Sequence, residues 1–393
     1  MQTPGPSSRP ANQRMTAFIL HRPTLGATRL LAATALAVAT QLAHADIVVG
    51  QVTPLSGPQA VTGRAISAGA KLYFDAVNAA GGVQGQRVKL VVRDDAQIPK
   101  ETVRKVNALI DEDEPVAMIG TVGTTNLEAL ASNGVLGRSR IPLIGAISGA
   151  ASVAASERMY VVKARYRDEV NRLFANLQRL SISRVGIVYQ DDGLGRDVLA
   201  GSTDAAAGHG IALVQAASYA RNTTDTTQAV GQMISARPDA IFLGATTAAA
   251  IDFVKRYRQA GGTALIYGMS IIDPDVLLKN LGPRLARGYA FTIVVPIPSD
   301  KRLAVVREYN LLREASRDPD LSTRSLEGFI AAKAVVWALK HAHRIEPDSV
   351  VAALTTPGGF DAGDYVLDFS KKGMTGSHFV DFAMFGQDGR VVR

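Results

Sequence analysis

Three loops carry the residue types best suited to chemistry. They are Pro54-Leu55-Ser56-Gly57, Gly120-Thr121-Val122-Gly123-Thr124-Thr125 and Ala146-Ile147-Ser148-Gly149. Each follows an apolar, strand-like run and joins small residues to hydroxyls. The second loop leads directly into a helix predicted over residues 126–133. A helix start offers free N–H groups and the positive end of the dipole, so it suits a carboxylate. That is the chemistry of holding an anion rather than of breaking a bond. Thr124 and Thr125 also read as ordinary helix caps. The two roles are compatible, because a cap with a spare lone pair can also touch a ligand.

Groups suited to bond breaking or metal binding are sparse. The histidines are His21, His44, His209, His341, His343 and His378. His341 and His343 form an H-x-H pair near a predicted helix end, without an acid cluster at ligand spacing, and read as surface residues. No G-x-S-x-G elbow occurs. Asp94 and Asp95 are adjacent at a strand end, so their side chains diverge, and they read as structural loop residues. The acid run Asp111 to Glu114 closes a predicted helix and reads as solvated. With no cysteine in the chain, disulfides, thiolate catalysis and Cys-ligated zinc are excluded. Neither an enzyme, a metal site nor a cofactor is expected.

The elements that position these loops alternate. Strands are predicted at residues 47–53, 88–94, 116–120 and 142–146. A second set falls at 185–189, 211–218, 240–243 and 265–269. Several are continuous apolar runs, as parallel strands covered on both faces require. Helical spacing appears between them: Ile66, Ala70, Tyr73 and Val77 share one face, as do Val103, Val106 and Ile110. Asp273-Pro274 and Asp348 read as helix starts. The pattern predicts an α/β fold with parallel, doubly wound sheets. After residue 361 the chain reads as short antiparallel strands.

Residues 1–45 read as a signal peptide. Arg9, Arg14, Arg22 and Arg29 precede any acid, and residues 30–39 form an apolar run too short to span a bilayer. Ala43-His44-Ala45 has the form of a cleavage site, and Met15 is an alternative start. Removing the segment's four arginines lowers Lys plus Arg from 43 to 39 against 35 acids, and the net charge from +8 to +4. No basic cluster interleaved with aromatics is present, so a nucleic-acid partner is not expected. A lipid anchor on cysteine is excluded. The 348 residues that remain exceed what one core usually serves, so two lobes are expected.

At this point the chain resembles the leucine/isoleucine/valine-binding proteins, type I periplasmic solute receptors of ABC importers. The segments that carry the likeness are VGQVTPLSGPQAVTG, AGAKLYFDAVNAAGGVQGQRVKLVVRDD, AMIGTVGTTNLEALA, IPLIGAISGA, VGIVYQDDGLGRD and SLEGFIAAKAVVWAL. Their order and spacing span most of residues 46–393. The resemblance implies two Rossmann-like lobes joined by three crossover strands, residues 46–164 plus 294–380 and residues 165–293 plus 381–393. It implies a soluble periplasmic monomer that closes on a small amino acid or carboxylic acid and docks on an inner-membrane permease.

The resemblance also implies site residues. Thr124, with Thr125 beside it, grips the ligand carboxylate, and Ser148 offers a second N–H and hydroxyl. Ala146 presents a carbonyl to a ligand ammonium, and Thr62 lines the side-chain pocket. Leu194 and the Thr246 loop stand where relatives carry aromatics. Ser270 stands where branched-chain receptors carry the glutamate that pairs with the ammonium. Leaving a buried ammonium unpaired costs roughly 3–5 kcal/mol, two to three decades of affinity. Either another acid (Asp191, Asp192, Asp168 or Asp273) takes over, or the ligand is a carboxylic acid without an amine. Arg165 and Tyr166, after the first crossover, are within reach of the cleft but read as hinge scaffold or lobe surface. A sensor using the same clamp is the alternative to a transport receptor.

Overall fold

The computed structural model describes Met1 and residues 45–393 apart from Lys372 and Met374. The signal segment expected over residues 1–45 lies, but for its two end residues, outside the described residues.

In the amino-terminal half, β1 (Ile47–Thr53), α1 (Ala60–Ala79), β2 (Val88–Asp94), α2 (Pro99–Asp113), β3 (Ala117–Ile119) and α3 (Thr124–Asn133) alternate. The short α4 (Val135–Ser139), β4 (Leu143–Ile144), α5 (Ala151–Ala154) and β5 (Met159–Tyr160) follow. The strands form a parallel sheet in the order β2-β1-β3-β4-β5. The predicted third and fourth strands are trimmed at their carboxyl ends. Gly120 (φ 64°) and Gly145 (φ 71°) turn the chain off the sheet there, a conformation that glycine adopts readily.

The second half runs α6 (Tyr166–Arg179), β6 (Arg184–Asp191), α7 (Gly193–His209), β7 (Ala212–Ala220), α8 (Thr227–Ala236) and β8 (Ala240–Gly244). It continues with α9 (Thr247–Gln259), β9 (Leu265–Gly268), α10 (Pro274–Ala286) and β10 (Ala290–Ile293). Then α11 (Ala304–Ala315), α12 (Ser325–His341) and α13 (Pro347–Leu354) lead to β11 (Phe360–Asp361), β12 (Val366–Leu367), β13 (Asp381–Phe385) and β14 (Val391–Val392). The second sheet has the order β14-β13-β10-β9-β8-β6-β7. Its β7-β6-β8-β9-β10 core is parallel, and the antiparallel β13 and β14 close one edge.

The chain therefore passes between sheets three times: after β5, after β10 and before β13. The passages are stitched together. The Tyr365 hydroxyl lies 2.9 Å from the Val162 carbonyl and 3.0 Å from that of Val294. The Gly376 amide donates to the Val161 carbonyl at 2.8 Å. One apolar cluster also runs on from Val106 and Leu127, through Tyr166, Val170 and Leu173, to Val185 and Phe242.

In the first lobe, α12 packs on α1 backbone to backbone. A Cβ on Gly69 would sit 1.8 Å from the Ser325 carbonyl oxygen, and one on Gly328 would sit 2.1 Å from that of Ile66. Among the described residues, no helix is long and apolar enough to cross a membrane. Because the Gly69 contact is backbone and cannot rotate away, Gly69→Ala is expected to cost about 1–3 kcal/mol, read as a lower urea midpoint with unchanged slope.

Candidate ligand-binding site

The carboxyl ends of the parallel strands in both sheets meet at one cleft, where open α/β sheets take their ligands. On the first lobe's side, α1 begins after Gln59, and Thr62 lies buried on its first turn. Its hydroxyl is 3.4 Å from the Gln59 amide oxygen. Beyond β2, Ala96 (φ 47°) and Gln97 (φ 61°) both take left-handed backbone, which costs energy at non-glycine residues. Two carboxylates hold that turn. Asp94 accepts from the amides of Leu55 and Ala96, and Asp95 accepts from Gln97 N and Thr102 Oγ1. The acidic pair is thus a loop clasp, as the sequence suggested.

Helix α3 starts two residues earlier than predicted, with Gly123 as its N-cap. Thr124 and Thr125 are therefore not caps, and their hydroxyls turn elsewhere. Thr124 Oγ1 lies 2.9 Å from Ser148 Oγ. Thr125 Oγ1 accepts from Gly193 N of the second lobe at 3.0 Å. Tyr166 completes the group, with its ring against Gly149 and its amide donating to the Gly149 carbonyl. Burial pushes its phenol up to about 12, against opposing hydrogen bonds with Ser148, Gly149 and Thr124. At neutral pH it is an uncharged hydroxyl. Of the two readings of Tyr166, the less favoured one, a place at the cleft, is where the residue lies. Arg165 does act as scaffold, held by Asp168 at the start of α6.

From the second lobe, Asp192 caps α7, accepting from the amides of Leu194 and Gly195. Its other oxygen accepts from Gln190 Nε2 at 2.7 Å and faces Arg221 Nε at 3.2 Å. Thr246 caps α9, and its amide donates to Tyr219 Oη at 3.0 Å. Arg221 reaches across the cleft and donates to the Gln97 carbonyl at 2.5 Å and to Asn126 Oδ1 at 2.6 Å.

These loops enclose a cavity of about 30 Å³. Thr62, Thr124, Leu194 and Thr246 all line it, together with Gln59, Gln97, Tyr166, Gln190, Asp192 and Ile271. Ser148 is fully buried behind Thr124, and Ala146 is buried beside it with its carbonyl accepting from Ser148 N at 3.0 Å. Thr125 sits in the lobe-to-lobe contact. Ser270 faces away, toward a second small cavity with Phe291 and Arg324. A larger concavity, about 600 Å³, runs along α1 and the edge strand β2. It reaches Leu55 just past the end of β1 but shares no lining residue with the cleft cavity.

Glu169 is the acid that sequence reasoning missed. Ser270 donates to it through both its amide and its hydroxyl at 3.0 Å, and Thr292 Oγ1 donates to it as well. Burial raises its pKa, against the pull of Lys163 and these hydrogen bonds. Lys163 is fully buried, which lowers its pKa, and it pairs with Glu327 at 3.3 Å. Burial alone would raise Glu327, but Arg324 and Lys163 prevail and hold it below the usual carboxylate range. Of the other acids considered, Asp273 caps α10, Asp168 holds Arg165 and Asp191 is exposed, so only Asp192 lines the cavity. His341 is exposed and stacks on Trp337. Among the described residues, no group of three or more His, Cys, Asp or Glu side chains is placed to hold a metal ion.

Two parallel-sheet lobes, three crossovers and a hydroxyl-lined cleft define the two-lobed class of small-molecule binding proteins. A family model described as "Periplasmic binding protein" matches residues 46–391, and the chain belongs to that family. It is 25% identical to Leu/Ile/Val-binding protein homolog 8 of Brucella abortus over 388 residues, covering 93% of this chain and 95% of that protein. A substrate-binding periplasmic protein from Ralstonia solanacearum superposes with TM-score 0.86 at 41% identity, over 88% of this chain and 99% of that one. A possible leucine/isoleucine/valine-binding protein from Rhodopirellula baltica superposes with TM-score 0.83 at 27% identity, over 89% and 97% of the two chains. The two-lobed type I fold expected from the sequence is the fold observed.

The raised pKa of Glu169 gives a signed prediction. A carboxyl raised in the folded state contributes stability at low pH and loses it as pH climbs through the folded value. Glu169→Gln cannot ionise. Its urea midpoint is expected to gain on wild type as pH climbs above about 4, the ordinary glutamate range, whereas a gap independent of pH would show that Glu169 keeps its ordinary pKa.

Proposed function

We propose that this protein is the solute receptor of an ABC importer. It captures a branched-chain-type amino acid or a related small carboxylate between its lobes, in the periplasm, and delivers it to an inner-membrane permease. The observation that carries this reading is the cluster that Thr124, at the start of α3, and Ser148, beyond β4, form with Tyr166 of α6, beside the second lobe's Asp192 and Thr246 loops. Three uncharged hydroxyls beside free helix amides form a receptor for an anion. The lobes we assign are residues 46–164 plus 294–380 and residues 165–293 plus 381–393, following export behind residues 1–45. The receptor acts as a monomer without cofactor or catalysis.

Closure is part of the function. A cavity of about 30 Å³ accommodates about one water, far less than a valine-sized solute. The lobes must part to admit the ligand and then settle around it. Arg221 and the Thr125–Gly193 contact are the groups that close. A ligand bridging both lobes favours the closed state by its differential affinity, and the permease reads the surface so formed. Each hydrogen bond to the charged group contributes roughly 1.5–3 kcal/mol, and association costs several kcal/mol. The pocket walls must therefore supply the remainder of the affinity.

A thermal-shift screen of amino acids, amides and carboxylic acids identifies the ligand: at a hundred times its dissociation constant it adds about 2.7 kcal/mol of stability. Thr124→Ala and Ser148→Ala are then expected to weaken it by about one to two decades in calorimetry. Unchanged affinity in both variants would reject the carboxylate site.

A further inference from the structure

Among the residues that line the cavity, Gln97 carries the buried side-chain atom without a partner. Gln97 is 3% exposed, lines the cavity, and its Oε1 is buried without any hydrogen bond. The orientation of this amide is set by its neighbours. Asn126 Nδ2 donates to Thr102 Oγ1 and Asp95 Oδ2, so Asn126 Oδ1 points the other way. That oxygen accepts from Gln97 Nε2 at 3.0 Å and from Arg221 at 2.6 Å. Gln97 Nε2 also approaches the Val122 carbonyl at 3.3 Å. Turning the Gln97 amide over would set two oxygens against each other at Asn126. The acceptor therefore stays on the side without a protein partner. Gln97 is held there at a cost, on two successive left-handed residues clasped by Asp94 and Asp95. Its carbonyl is also the point that Arg221 grips when the lobes meet.

The charge around the cavity narrows the donor that Oε1 can take. Asp192 is the one carboxylate among the lining residues, and it is already met by two amides, Gln190 Nε2 and Arg221. Glu169 is committed to Ser270 and Thr292. An ammonium group would enter without a free counter-charge, which is costly in a closed site. A neutral donor would not.

Resting on the carboxylate reading above, we infer that Gln97 sets the specificity of this site: its Oε1 accepts a hydrogen bond from a hydroxyl or amide N–H on the body of the carboxylate ligand. The preferred solute is a hydroxy- or amide-bearing small carboxylate. Plain aliphatic or aromatic acids bind more weakly because they leave Oε1 unpaired, and amino acids do so because their charge is unmatched.

Calorimetry on matched probes tests this. One set is isovalerate, its α-hydroxy derivative and valine. The other is benzoate with its hydroxy and carbamoyl derivatives. Wild type is expected to bind a hydroxy or carbamoyl probe roughly tenfold or more tighter than the parent acid. In Gln97→Met that advantage should shrink to about twofold or less, with affinity for the parent acid little changed. A parent acid or valine bound tightest by wild type overturns the inference, as does an advantage that survives Gln97→Met. If that variant does not fold, the wild-type ranking alone decides. Tight, Thr124-dependent binding of a donor-free acid would remove the role of Gln97 and leave the proposed function standing. Failure of every acid to bind, or binding indifferent to Thr124→Ala, would remove both.

Discussion

The cleft exists because three passages of backbone hold two sheets end to end, and a single buried phenol joins two of them. Tyr365 reaches carbonyls on the first and second passages, and Gly376, on the third, donates to the first. Strand interiors satisfy their own amides, but these passages leave sheet pairing between lobes and need other partners. Burial raises the pKa of Tyr365, so the phenol keeps its proton and stays a donor. With this junction fixed, the carboxyl ends of β1, β3 and β4 face those of β6, β8 and β9. The hydroxyl cluster, the Asp192 cap and the Arg221 bridge all inherit their positions from it.

Beside the junction lies a set of buried charges that packing alone would not require. Lys163 follows the first passage, Arg324 and Glu327 open α12, and Glu169 belongs to the second lobe. Burying ions is expensive, and such a pair seldom stabilises more than apolar residues of the same shape. A shifted hinge would leave one of these ions unmatched, which is strongly destabilising. Glu169 binds Ser270 and Thr292 within its own lobe while sensing Lys163 from the junction. The hydroxyl-lined cavity and the hinge thus share the loop at 270–271, with Ile271 facing one and Ser270 facing the other.

Much of this was legible in the sequence. The first two strands fall at their predicted residues because continuous apolar runs bounded by glycine, proline and aspartate leave few alternatives. The loops at the cleft followed from strand polarity. Thr62, Thr124, Leu194 and Thr246 came together because they sit just beyond parallel strands. Other residues were hidden for identifiable reasons. Tyr166 and Glu169 lie on α6, whose buried face depends on how the lobes meet. Neighbouring helix residues point about 100° apart, so Asp168 was considered and Glu169 was not. Gln97 depends on a left-handed turn that no periodicity reveals. A Gly-Thr-Thr run also reads as caps until the true helix start is seen at Gly123.

The central claim is that a small carboxylate draws two hinged lobes together at this cleft. The chain has no cysteine, so spin labels on Ser132→Cys in α3 and Thr203→Cys in α7, both exposed, would report the distance between lobes without background. Adding the carboxylate that gives the largest thermal shift should shorten and narrow that distance distribution, and Thr124→Ala should raise the concentration needed. A distribution unmoved by a ligand that calorimetry shows to be bound would contradict the account.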